Sequence, residues 1–544
     1  MGFWQRFAVD VPFEDEWSIV TVLRRLGQGH LTLGALWAQH NENRMLVPRL
    51  IAIALAGPTR YDTRADMLFG IALLLAAAVL LVPVAARIGL RSWWWAVPPA
   101  AVLLSWVQVE NLLWGFQLAW YLILAGLLAV VVCLARSPLP RWGFWIAAGT
   151  AVVASFSSLP GLFLWPCGLL LLAGRGVRPR QRWGWLGLGT ATTLAYLFRY
   201  HSVGAAVSGA RARSALSDPV GAVRYLLEAV GSVVRWPAPG VTPLTPVAAP
   251  AAVPTEVLGG CILALAALVV LGSVRLGWRE RDLLVPACLL AFALLFDLAL
   301  VAGRLALGVA QAASSRYTTY DLLWLVGIWF GLAAIGRRLG WRRPPALGVA
   351  LAACLALLGV QVGLAIPFGW QAAGAIAGRR REAAEIVVAY PSVPRPLVRA
   401  FLYPAPPRLR ADVRFLARRH LSLFAGHGAR LDRATGIVPG GRPGRLLRAP
   451  ARLAAALGPG TPARRAWTVL SSLYDALPWL RAAYPARARA FPADLLGWAA
   501  GAGLRRRETG LYLAPVRRAV VRLLCALPGA QRRRGAPAPV SRPG

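Results

Sequence analysis

Ten mainly apolar stretches recur through the first 366 residues, and they constrain the fold more than any other feature. A spanning helix needs about 20 such residues, somewhat fewer where neighbours bury its ends. The stretches run roughly over 66–86, 93–107, 112–134, 142–157, 160–174, 183–200, 253–274, 283–303, 318–336 and 345–366. With 57% hydrophobic and only 15% charged residues and a mean hydropathy of +0.55, an ordinary soluble globular chain is excluded. The expected fold is an all-α polytopic membrane protein with about ten transmembrane helices.

Orientation follows from the basic residues, every one of which is Arg. Alternate loops hold Arg87 and Arg91, Arg136 and Arg141, Arg175 to Arg182, Arg275 to Arg281, and Arg337 to Arg343. Short basic loops stay in the cytoplasm. Trp93 to Trp95, Trp142, Trp145, Trp183, Trp185 and Trp341 lie beside the same loops, as expected of rings anchored at headgroup level. Topology therefore accounts for the loop arginines, and nucleic acid is not an expected partner. Five of the six cysteines lie within apolar runs and form no disulfide or zinc pattern. Asp10, Glu14, Asp15 and Glu16 stand where a cleaved signal would need a basic end and an apolar run.

The other loops face outward in this topology: residues 1–65, 108–111, 157–160, 201–252 and 304–317. They hold Glu14, Asp15, Glu16, His40, Asn41, Glu42, Asn43, Gln108, Glu110, Asn111, Gln117, His201, Gln311 and Tyr317. Polar groups at membrane depth are costly unless they pair or line a cavity, so this one-sided enrichment points to function. The chain divides into a first polar segment (1–65), a transmembrane body (66–366), a juxtamembrane segment (367–425) and an Arg/Ala/Pro/Gly-rich region (426–544). From 379 on, 31 Arg face seven acidic residues, yet long domains translocate largely regardless of charge. Val413 to Phe424 and Leu446 to Leu457 have amphipathic helical spacing, suited to anionic lipid or to a small helical lobe. Residues 531–544 are expected to be disordered.

Two strings concentrate the chemistry. Pro12-Phe-Glu-Asp-Glu-Trp-Ser18 places three carboxylates beside aromatic rings, and a shielded carboxylate is a suitable general base for a hydroxyl. The same residues also suit a helix N-terminus, with Asp15 or Ser18 as cap. Gln39-His-Asn-Glu-Asn-Arg44 gathers an imidazole, amides, a carboxylate and a guanidinium within six residues. His40 and Glu42 lack a third ligand at metal spacing, so no metal is assigned and a divalent ion has no support from the spacing. Arg44, Arg49 and Arg316 are candidates to grip a phosphate, or to snorkel to headgroups. No Walker or dinucleotide fingerprint is present, so ATP and NAD chemistry have no support.

Phe13-Glu-Asp-Glu-Trp17, Gln39 to Arg44, Glu110-Asn-Leu-Leu-Trp-Gly-Phe-Gln117 and Ser315-Arg-Tyr-Thr-Thr319 resemble strings of bacterial GT-C membrane glycosyltransferases over about residues 10–425. The resemblance implies sugar transfer at an extracytoplasmic site in the bacterial plasma membrane. The donor is a polyprenyl-phosphate-linked sugar, and the acceptor a glycan, a lipid or an envelope polymer. It gives Asp15 or Glu16 the role of base, Glu42 that of a second carboxylate, and Arg44 and Arg316 those of phosphate ligands. Glu14, His40, Asn41, Arg49, Glu110, Asn111, Gln117 and Tyr317 complete the expected binding set. Members of that class carry a helix ahead of the acidic loop. Only thirteen residues precede Glu14, so an upstream start or a shortened copy is expected, with eleven helices in the complete form. Physical logic points the same way, because nucleotide sugars are cytoplasmic and an outward site must draw on a membrane-borne carrier. The other reading is a transporter or flippase for an amphipathic solute. No matched second half accompanies Pro83, Pro98, Pro99, Pro160 and Pro166, which favours the enzyme.

Overall fold

A computed structural model of the chain describes residues 2–201, 217–235, 255–340, 345–390, 402 and 409–425. The expectations for 426–544, including Leu446 to Leu457 and the terminal residues, lie outside the described residues. What is described is almost entirely helical, and its one strand pair is Gln39–His40 (β1) with Asn43–Arg44 (β2). Two compact units result: Met1–Ala8 with Arg25–Ala377, and Val9–Arg24 with Gly378–Gly544. Residues 9–24 thus group with the second unit.

In chain order the helices are α1 (Gly2–Phe7), α2 (Glu16–Gly27), α3 (Leu33–Trp37), α4 (Leu46–Thr59), α5 (Thr63–Arg87), α6 (Val97–Leu103), α7 (Val109–Leu112) and α8 (Leu118–Leu134). There follow α9 (Arg141–Ser155), α10 (Leu164–Leu172), α11 (Pro179–Leu197), α12 (Pro219–Gly231), α13 (Thr255–Arg275), α14 (Arg281–Arg304), α15 (Thr318–Leu339), α16 (Pro345–Ala389) and α17 (Leu409–Arg419). Among the described residues six segments are long and apolar enough to cross a membrane. They are Thr63–Arg87, Gly115–Leu134, Thr255–Arg275, Arg281–Leu307, Thr318–Leu339 and Leu347–Val388.

Among the described residues the expected count of about ten is not confirmed, for physical reasons that differ along the chain. Residues 93–107 do not form one continuous helix. Pro98 and Pro99 sit in the first turn of α6, Ser105 caps the next turn by accepting from the Val107 amide, and α7 lasts only four residues. Non-helical backbone at membrane depth is tolerated where protein partners satisfy it. Here the Gln108 side chain donates to the Leu103 carbonyl, and Gln361 donates to Ser105 Oγ at 2.8 Å. Residues 142–157, 160–174 and 183–200 do form helices, but α9 has 15 residues, α10 has nine, and α11 opens on Pro-Arg-Gln-Arg.

In the first unit, α15 is the centre. It packs on α6, α13 and α14, and 83% of its most apolar window is buried, against 28% for α13. Its sequence explains its ends: Arg337 and Arg338 occupy the last turn, where cations suit the helix dipole, and Gly340 follows in the left-handed region at φ 73°. α5 packs on α8, α8 on α9, and α10 on α11 and α14. α12 and α13 meet through glycine, since a Cβ at Gly231 would lie 1.9 Å from the Thr255 carbonyl oxygen, and one at Gly259 1.9 Å from that of Leu227. Only hydrogen at both positions permits this backbone approach.

The arginine-bearing loops meet at one end of this unit. Arg87 Nε donates to the Val132 carbonyl, the Arg175 amide to Arg279, and Arg337 and Arg338 bind Asp282. The loops grouped as cytoplasmic by charge are therefore neighbours in space.

The described residues of the second unit are mainly helical. α17 buries Leu409, Asp412, Val413 and Leu416, one face of a helix. Asp412, fully buried, receives Arg24 Nε at 2.6 Å and Thr21 Oγ1 at 2.8 Å, and Ser422 Oγ donates to Asp10 at 2.9 Å.

Candidate functional site

The hairpin β1–β2 carries the Gln39 to Arg44 string. Asn41 takes the left-handed conformation at φ 49°, which Asn tolerates better than most residues and which lets a short turn close. Tyr196 and Tyr200 donate to the Glu42 carbonyl at 2.9 and 3.2 Å, and Asn43 Oδ1 accepts from Ser158 Oγ and the Leu159 amide. The backbone is thereby fixed while the Glu42 side chain stays one-third exposed, 3.6 Å from Arg304 Nη2. His40 packs its ring 5.3 Å from that of Phe116.

Arg44 and Arg49 both bond backbone carbonyls. Arg44 is buried, and its fork donates to the carbonyls of Tyr196, Trp37 and Phe198. Arg49 Nη1 donates to those of Leu36 and Ala38. Burial lowers the pKa of both, that of Arg49 to about 10. They tie the first polar segment to α11 and α3, a role the sequence reading did not give them. Arg44→Lys, which cannot reproduce the planar fork, is expected to cost about 3 kcal/mol. The check is a lower thermal unfolding midpoint of the purified variant.

A second group forms where residues 105–112 meet the start of α15. Glu110 is buried, and its Oε2 accepts from Ser314 Oγ and Ser315 Oγ at 3.4 and 3.3 Å. Arg316 Nη1 lies 3.9 Å from Glu110 Oε1, and its guanidinium lies over the Tyr317 ring. Asn111 Nδ2 donates to the Arg316 carbonyl and to Thr319 Oγ1, both at 2.8 Å, and Thr319 donates to Gln108 at 2.7 Å. The strings Glu110 to Gln117 and Ser315 to Thr319, 200 residues apart in sequence, are thus one network. Gln117 is buried at the start of α8.

The sequence reading missed four groups here. Arg304 ends α14 beside Glu42. Arg235 follows α12, with Nη2 buried and without a hydrogen-bond partner, and its charge is felt by Glu228, Asp321 and Glu110. Burial lowers the Arg235 pKa to about 10. Asp297 and Asp321 are fully buried on α14 and α15, and Asp297 accepts from Trp324 Nε1 at 2.8 Å. A carboxylate inside an apolar run is a signal the sequence does offer.

The acidic string belongs to the second unit. Glu16 is buried, and its carboxylate accepts from the Phe13 amide at 2.8 Å, closing the first turn of α2. Asp15 is half-buried at the cap position, its carbonyl accepting from Ser18 Oγ at 2.7 Å. Glu14 holds a left-handed conformation at φ 48°, which strains a non-glycine residue. Arg379 and Arg380 lie 5.9 and 5.1 Å from the Phe13 ring centroid. Among the described residues no group of three or more His, Cys, Asp or Glu is placed to hold a metal ion.

No family model, curated protein or solved structure matches this chain.

Proposed function

We propose that this protein is an integral membrane glycosyltransferase that moves a sugar from a polyprenyl-phosphate carrier to a glycan, lipid or envelope acceptor outside the cytoplasm. One observation carries the reading. In the first unit, Arg304 and Arg316 are each about one-third exposed, and each leans on a carboxylate, Glu42 and Glu110. Two cations held by acids but open to solvent suit the developing charge of a phosphate leaving group. Glu42, one-third exposed and held by its backbone, suits the base that takes the acceptor proton. Glu110 is committed to positioning Arg316 through its serine bonds. The charge pattern of the loops supports an outward position for this end.

The test is transfer of labelled sugar from a polyprenyl-phosphate donor by membranes containing the full chain. Transfer above membranes lacking it is the expected result, and none from any carrier would sink the reading.

The buried carboxylates favour one alternative, a transporter or flippase. Asp297 and Asp321 are fully buried on α14 and α15, both oxygens of Asp321 lack a hydrogen-bond partner, and ionisable groups at membrane depth mark solute and ion pathways. Under that reading Asp321→Asn abolishes uptake or lipid flipping; under the glycosyltransferase reading it leaves the transfer chemistry in place.

A further inference from the structure

At the arginine-bearing end of the first unit, away from the groups assigned above, a polar cavity of about 490 Å³ is lined by Arg87, Arg136, Ser137 and Arg281. Each guanidinium is held from behind. Arg87 Nε donates to the Val132 carbonyl at 2.9 Å, Arg136 lies 4.5 Å from the Trp142 ring centroid, and Arg281 Nε donates to the Arg175 carbonyl at 3.2 Å. Nη1 and Nη2 of Arg281 are buried without a hydrogen-bond partner. Arg87 and Arg136 are close enough to repel one another.

No carboxylate lines this cavity. The two acids in the adjoining turn are already engaged, Glu280 by Arg175 and Arg338, and Asp282 by Arg337 and Arg338. Three like charges fixed around one space, with buried donors unmet, are costly unless an anion completes them. Guanidinium forks match the geometry of phosphate oxygens, and basic pockets between membrane helices take phospholipid headgroups.

We infer that this cavity is a phosphate-binding site, built to hold a phosphate group in the grip of Arg87, Arg136 and Arg281. The group can arrive on an anionic phospholipid or as a soluble phosphate. It is independent of sugar transfer, since none of these residues belongs to the proposed donor site.

The full chain is purified and its thermal midpoint followed in two arms: inorganic phosphate against chloride at equal ionic strength, and phosphatidylglycerol against phosphatidylcholine nanodiscs. Stabilisation by phosphate assigns a soluble source, and stabilisation by phosphatidylglycerol alone assigns the lipid; either supports the site. Arg136→Gln and Arg281→Gln should each weaken binding about tenfold, the loss of one charge-assisted contact. Arg91→Gln, an exposed arginine at the same end, should not. Without ligand, Arg136→Gln should unfold no earlier than wild type, because it removes repulsion. The proposal falls if neither arm stabilises wild type, or if Arg91→Gln weakens binding as much as the cavity variants.

Discussion

Arg316→Gln is expected to lower kcat/KM for a polyprenyl-phosphate sugar about a hundredfold, and Arg304→Gln by a similar factor. The argument is electrostatic. Each arginine reaches solvent from a position fixed by protein: Arg316 by Glu110 and by the Asn111 bond to its own carbonyl, Arg304 by Glu42. A donor aimed at charge that grows in the transition state typically contributes about 3 kcal/mol, which is the expected hundredfold. Arg316→Lys should recover only part of the loss, because an ammonium keeps the charge but cannot fork. Glu110→Gln should produce a smaller defect, since Ser314 and Ser315 can still donate to an amide oxygen while Arg316 loses its anchor. Steady-state kinetics with a short-chain donor measure all four. Wild-type kcat/KM in both Arg316→Gln and Arg304→Gln would remove the phosphate-binding role from this end.

The arrangement behind that expectation was only partly legible in the sequence. α15 was plain, because 22 residues from Thr318 to Leu339 are nearly all apolar and end on two arginines. The pairing of Glu110, Asn111, Arg316 and Thr319 was foreshadowed by their loops falling on one side, but nothing in either string says that the two touch. The breaks within residues 93–107 were hidden by averaging: a hydropathy window counts Pro98, Pro99 and Ser105 as minor interruptions, whereas each removes or redirects backbone hydrogen bonds. The hairpin at Gln39 to Arg44 was invisible for the opposite reason, since two-residue strands carry no periodicity. Arg44, Arg49 and Arg316 look alike in sequence. Only the fold separates the two that bind backbone carbonyls from the one that faces a carboxylate and solvent. Arg235 escaped notice because its significance depends on α12 packing beside the network, which no local pattern announces. The division of residues 9–24 from 25–65 was equally hidden, as the chain continues through α2 without a break in helical pattern.

Glu42→Gln should lower kcat at least about a hundredfold, the usual contribution of a general base, while Asp15→Asn stays within about threefold of wild type. The two carboxylates differ in what their surroundings leave them to do. Glu42 has its backbone fixed by two tyrosine hydroxyls and its side chain one-third exposed beside Arg304, so on the proposed reading an acceptor hydroxyl meets this carboxylate next to the arginine that would take the leaving phosphate. Asp15 occupies the cap position of α2, directly before Glu16, whose carboxylate closes the turn by accepting from Phe13. Asp15→Asn removes the charge at nearly constant size, at a half-buried position whose printed bond is made by its carbonyl, and so isolates chemistry from folding. Glu16→Ala provides the contrast, an expected loss of about 1 kcal/mol seen as a lower thermal midpoint. The reverse pattern, a collapse of kcat in Asp15→Asn with Glu42→Gln near wild type, would move the base to the acidic string.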